Sequence, residues 1–180
     1  MRLKVGFLSL LVISVFALSV QAQTPQAEVF GGYSYLRLNP GGGASGENIP
    51  AGWHASVAGN INEWFGIAGD FSGHYKDIMG VDTSAYTFTF GPRVTVRDSE
   101  SFQPFAHAQF GAARISASAL GISVSDTVFA MNLGGGVDIK AGDRFAFRAA
   151  QFDYVLTRFG GQSQNNFRFS TGIVIRFGSK

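Results

Sequence analysis

The most constraining feature of this chain is an alternation with a period of two residues. From Asn166 to Phe177 the odd positions are Phe167, Phe169, Thr171, Ile173, Ile175 and Phe177; the even ones are Asn166, Arg168, Ser170, Gly172, Val174 and Arg176. Successive side chains of a β-strand point to opposite faces, so this stretch reads as a strand with one apolar face and one polar, small-residue face. Ala85–Arg97, Thr127–Lys140 and Trp64–Tyr75 alternate in the same way. Glu28–Leu38, Trp53–Asn60 and Phe102–Arg114 are weaker but compatible, and Phe145–Thr157 completes a set of eight. In that last segment Arg148 and Asp153 have opposite parity. A β-bulge near Ala149-Ala150 would bring Arg148, Gln151 and Asp153 to one side.

The links between these strands alternate in length. Residues 40–50, 76–84 and 115–126 are long links, and 158–165 is of middling length. Asn60–Glu63, Asp98–Ser101 and Ala141–Arg144 are short. Long and short connections therefore fall at opposite ends of an antiparallel meander. Before it, residues 1–22 read as a secretory signal peptide: a positive head with Arg2 and Lys4, an apolar run from Val5 to Val20, and a small-residue cleavage site ending at Ala22. Residues 23–180 then form one domain. Without Arg2 and Lys4, twelve basic residues face twelve acidic ones, so no basic patch calls for nucleic acid. With no Cys there is no disulfide framework, thiolate metal site or Cys nucleophile, and no cofactor or metal motif is present.

Periodicity alone does not say whether the apolar face meets a core or lipid, because a soluble eight-stranded barrel has the same period. The composition of the two faces decides. The polar face carries Glu28, Asp70, Arg93, Asp138, Arg148, Asp153, Arg168 and Arg176 beside Gly, Ala, Ser and Thr. A narrow lumen needs such small side chains and a few long ones that pair across it, since an unpaired buried charge is costly. The apolar face has aromatics near strand ends, among them Tyr33, Tyr35, Trp53, Tyr75 and Tyr86, as interfacial girdles require. Closure also removes the open sheet edges that lipid forbids. The expectation is an all-β, eight-stranded antiparallel up-and-down transmembrane β-barrel, delivered to the cell outer membrane after cleavage near Ala22.

On these residues the chain resembles the small outer-membrane β-barrel family that includes the OmpA transmembrane domain and the OmpX-type proteins. The resemblance runs from Ala27 to Phe177. It rests on Val29–Tyr35, Gly91-Pro92-Arg93, Gly134–Asp138, Phe152-Asp153-Tyr154 and Ile173–Phe177. It implies short periplasmic turns, longer outer loops and a terminal aromatic recognised by the barrel-assembly machinery. That aromatic corresponds to Phe177, although Gly178-Ser179-Lys180 follow it here.

Several groups are candidate sites. Asp70, Arg93, Asp138, Arg148, Asp153, Arg168 and Arg176, with His107 and Gln109, form the expected luminal charge network, which either holds the barrel shut or lines a narrow ion or small-solute pore. Arg37 and Arg114 have lipid-facing parity near the outer strand ends. There they either contact lipopolysaccharide phosphates or simply extend to the rim. His54-Ala55-Ser56 has the order of a base and a nucleophile on one strand face, as in a lipid A-modifying enzyme, but two residues along a strand is ~7 Å and both face the lumen. No catalytic set is therefore assigned. The expected role is structural or surface-interacting and non-catalytic. Its partners are outer-membrane lipid and lipopolysaccharide, the assembly machinery, and an extracellular ligand of loops 40–50, 76–84, 115–126 and 158–165.

Overall fold

The computed structural model describes residues 24–39, 45–78, 81–99, 101–119, 122–159 and 162–178. The expected signal segment with its Ala22 cleavage site lies outside them. The strands are β1 (Ala27–Leu38), β2 (Glu47–Ile49), β3 (Ala51–Asn60), β4 (Phe65–Ile78), β5 (Val81–Thr95), β6 (Phe102–Ala119), β7 (Ile122–Lys140), β8 (Phe145–Phe159) and β9 (Gln162–Phe177). Every neighbouring pair is antiparallel, and β1 also pairs with β9, so the sheet closes on itself. β1 and β3–β9 are the eight staves of the barrel. The short β2 is the outward continuation of β3. It pairs with β1 through Leu36↔Ile49, one residue out of step with the Tyr33↔Trp53 register below it. The step falls at Pro50, which has no N–H to give to a ladder.

The apolar face looks outward. Phe88, Phe90, Phe110, Phe129, Phe152 and Ile173 are all exposed on the outer wall, Phe90 at 59%. The polar face looks inward: among the described residues nine charged side chains are 6% exposed or less. Among the described residues no helix is long and apolar enough to cross a membrane; the chain crosses with strands.

The irregularity in β8 is present. Asp138 pairs with Arg148 and Val137 with Ala150, while on the other side Arg148 faces Gly172 and Gln151 faces Ser170. The two-residue step across Ala149-Ala150 turns Arg148, Gln151 and Asp153 all into the lumen.

The outer links differ from the sequence reading. Most of 76–84, 115–126 and 158–165 is strand, and 47–49 within 40–50 is strand as well. β4–β5 pairing continues to Ile78↔Val81, β6–β7 to Ala119↔Ile122 and β8–β9 to Phe159↔Gln162. About 9–11 tilted residues cross a bilayer, so β6 and β7, with 18 and 19 residues, stand well beyond it. Polar Ser and Thr alternating with Ile and Val keep strand propensity past the membrane, which is why polarity alone misplaces these residues as loops.

Candidate functional site

The lumen is built in layers. At the end with the short turns, Glu28 on β1 faces three arginines. Arg93 NH1 is 3.3 Å from its Oε2, while Arg97 NH2 and Arg176 Nε are 3.3 and 3.4 Å from its Oε1. Arg176 also donates to Gln103 Oε1 at 2.6 Å. Arg93 reaches on to Asp138 at 3.1 Å, and Arg148 grips the same carboxylate twice, through Nε at 2.8 Å and NH2 at 3.0 Å. Two aromatics enter the lumen here. Arg148 lies 4.2 Å from the Phe30 ring centroid and 4.3 Å from that of Phe105, and Arg93 lies 4.2 Å from Phe105. A desolvated guanidinium over a ring face is a favourable cation–π arrangement.

Gln151 joins this layer to the next. It accepts from Arg148 NH1 at 2.7 Å and donates to Asp153. Arg168 bridges Asp153 (2.8 Å) and Asp70 (3.4 Å) and donates to Ser72. His107 lies 2.9 Å from Asp153, and Gln109 donates to Asp70 at 3.1 Å. Above them a chain of contacts runs Asp70–His54–Ser170–Ser34–His74, with steps of 3.1, 3.1, 3.3 and 2.9 Å. Leu36, Ile49 and Ala85, packed by Leu38 and Ile115, close the outer end with an apolar layer.

All seven candidate charges thus point inward and belong to one connected set. Glu28 and Arg97 belong to it too, although they are not among the candidate site residues. Phe30 shares the parity of Glu28, and Phe105 that of His107 and Gln109. Parity would have found both rings, but their apolar character argues for the outer face. His54 does not meet Ser56: its ring nitrogens face Ser170 and Asp70, and all three side chains are buried.

Arg37 and Arg114 are exposed at the outer ends of β1 and β6. Arg37 donates to Asn48 Oδ1 at 3.1 Å and Arg114 to Ser125 Oγ at 2.9 Å. Below Arg114 an open hollow of about 300 Å³ is lined by Trp53, Phe71, Tyr86, Phe88 and Ala112. Beside it, Trp53 Nε1 and the Tyr86 hydroxyl each lie 3.2 Å from the Tyr75 hydroxyl. Phe177 ends β9 at the short-turn end, exposed, and its carbonyl accepts from Gln26 N–H.

A closed meander, hydrocarbon-facing aromatics and a charged, filled lumen define an outer-membrane barrel. The chain matches the family model for the outer membrane protein beta-barrel domain over residues 8–178, and it belongs to that family. It is accordingly a protein of the cell outer membrane. Neisserial surface protein A is similar in structure, with a TM-score of 0.72 at 15% identity over 84% of this chain and 97% of that one. So is Ail, the attachment invasion locus protein of Yersinia pestis, at 0.60 and 17% over 84% and 99%. The N-terminal β-barrel domain of Pseudomonas aeruginosa OprF gives 0.58 and 10% over 86% and 100%. At these identities the likeness is one of fold. No curated protein matches the sequence.

Proposed function

We propose that this chain is a non-catalytic outer-membrane barrel with a structural and surface-interaction role, exported by a signal peptide that ends near Ala22. One observation carries the structural half: the lumen is filled by side chains that bond to one another, from the Glu28 group at the inner end to the Leu36–Ile49–Ala85 layer at the outer end. Eight-stranded barrels are just wide enough to be filled in this way. The burial of His54, Ser170 and Asp70 supports a non-catalytic reading, since a nucleophile must reach its substrate. In planar bilayers the purified protein is expected to give no steps of conductance, and neither Arg93→Ala nor Arg176→Ala is expected to open one; stable channel currents from the wild type would favour a pore instead. Lipid A mass spectra unchanged by the protein's presence check the absence of lipid modification.

The surface half rests on the projecting sheet. Among the described residues, β8 pairs with β7 only from Ala130 inward, so the β7 edge from Ile122 to Phe129 has no strand on its β8 side. Ile122 and Val124 there are 70% and 67% exposed. Such an edge is a template for an added strand. Ail has been solved in complex with the heparin analogue sucrose octasulfate; for this chain the projecting sheet is the place to look for an extracellular ligand. At the membrane rim, Arg37 and Arg114 are the lipopolysaccharide contacts, as the guanidinium fork suits phosphate. Phe177 is the residue for the assembly machinery. Lipid A copurifying with the wild type and lost on Arg114→Ala checks the first; slowed membrane insertion of Phe177→Ala checks the second.

A further inference from the structure

The charges of the lumen do not cancel where they are densest. In the inner layer, Arg93, Arg97, Arg148 and Arg176 face only Glu28 and Asp138. All six are buried, so that layer carries two positive charges in excess among the described residues. The layer above sets one guanidinium, Arg168, against the carboxylates of Asp70 and Asp153. Over both layers five arginines face four carboxylates among the described residues. Burying an uncompensated charge is expensive, and a protein either neutralises it or binds a counter-charge.

The unused donors lie in the same layer. Among the described residues Arg93 Nε and Arg97 Nε are buried with no hydrogen-bond partner, Arg176 Nε has only its 3.4 Å ion-pair contact with Glu28, and Glu28 Oε2 beside them has only its 3.3 Å ion pair with Arg93. A guanidinium has five N–H donors, and its Nε–H is seldom left unused when water is excluded. Thr24 Oγ1, just before β1, is buried without a partner among the described residues as well. Arg97 and Arg176, at 6% and 5% exposed, are nearest the inner opening, so a small ion could enter from the periplasmic side.

We propose that the inner end of the barrel is a binding site for one small monovalent inorganic anion of chloride size, held by the guanidinium groups of Arg93, Arg97 and Arg176. One such ion evens five arginines against four carboxylates over the described lumen, and the packed lumen selects a small one. The site is independent of the surface role, and it stands whether or not the protein has a ligand outside the cell.

The test is thermal unfolding of the protein refolded in detergent, in sodium chloride and in sodium gluconate at matched ionic strength. Wild type melts higher in chloride, and the increment saturates with chloride concentration as ligand binding requires. In Arg97→Gln and in Arg176→Gln the increment shrinks, and in gluconate each variant melts at or above wild type because it has lost a surplus charge. An exposed-site control, Arg37→Gln, keeps the full increment. Equal melting of wild type in both salts would mean that no chloride meets these donors, and the proposal falls. An increment that survives intact in both arginine variants would place the chloride effect elsewhere and also overturn it.

Discussion

Arg148 holds Asp138 from the adjacent strand through two nitrogens, Nε at 2.8 Å and NH2 at 3.0 Å, and it does so from the residue that opens the β8 bulge. Charge-assisted bidentate pairs are the strongest hydrogen bonds available to side chains. Here the same guanidinium is clamped between the Phe30 and Phe105 rings. Bulge, ion pair and aromatic clamp form one unit in the inner layer of the lumen.

Removing one partner of that pair should cost more than removing both. Arg148→Met removes two of the three charge-assisted bonds to the buried Asp138 carboxylate, leaving Arg93 at 3.1 Å, and is expected to destabilise the barrel by about 1.5–3 kcal/mol. Arg148→Met combined with Asp138→Asn should recover much of the loss. Urea unfolding of the detergent-folded protein, followed by tryptophan fluorescence, measures both.

Deleting Ala149 tests the bulge. Without it Arg148, Gln151 and Asp153 fall at every second position of a regular strand, and the ladders to β7 and β9 close without a step, so all three keep the lumen side. The deletion variant is therefore expected to fold, seen as retention of the compact, heat-modifiable band in gel electrophoresis, whereas a residue inserted after Ala150 turns Gln151 and Asp153 to the outer wall and abolishes that band. A deletion variant that fails to fold would show that the bulge itself, and not only the side each residue takes, is required.

The closing seam between β1 and β9 brings two glycines face to face. Gly32 pairs with Gly172, and a Cβ on Gly172 would lie 2.3 Å from the Gly31 carbonyl oxygen, far inside contact distance. Gly172→Ala is therefore expected to lower stability by about 1–3 kcal/mol, the usual range for overpacking. The loss should appear in the midpoint of urea unfolding.

Position along a strand sets the cost of a charge on the outer wall. Phe88→Arg places a cation against hydrocarbon and is expected to cost about 2–4 kcal/mol. Ile122→Arg, on the projecting hairpin, should change stability by no more than about 0.5 kcal/mol. The pair of unfolding midpoints in lipid vesicles locates the outer edge of the membrane between them.

How much was legible depends on whether a feature is local. The parity of Phe88 and Phe90 against Arg93 follows from the pleat, which any strand must obey. The bulge at Ala149-Ala150 follows from the same rule, because Arg148 and Asp153 otherwise require opposite solvents. The strand ends were less legible. Ser116, Ser118, Ser123 and Ser125 read as loop residues, yet they pair as Ser116↔Ser125 and Ser118↔Ser123 on one face of a hairpin whose other face is Ala, Ile and Val. Polarity reports contact with water, and a strand that leaves the membrane keeps its ladder while meeting water on both faces.

The sequence by itself determined the number of staves, the face each side chain takes and the kind of surroundings each face requires, since these depend only on the two-residue repeat and on solvation. Tertiary structure alone decided the partners: which carboxylate Arg168 bridges, why His54 meets Ser170 rather than Ser56, and how Phe30 and Phe105 come to bracket Arg148. These contacts span the lumen between residues far apart in the chain. They depend on strand tilt and on the register at which β1 meets β9, quantities that no single strand carries.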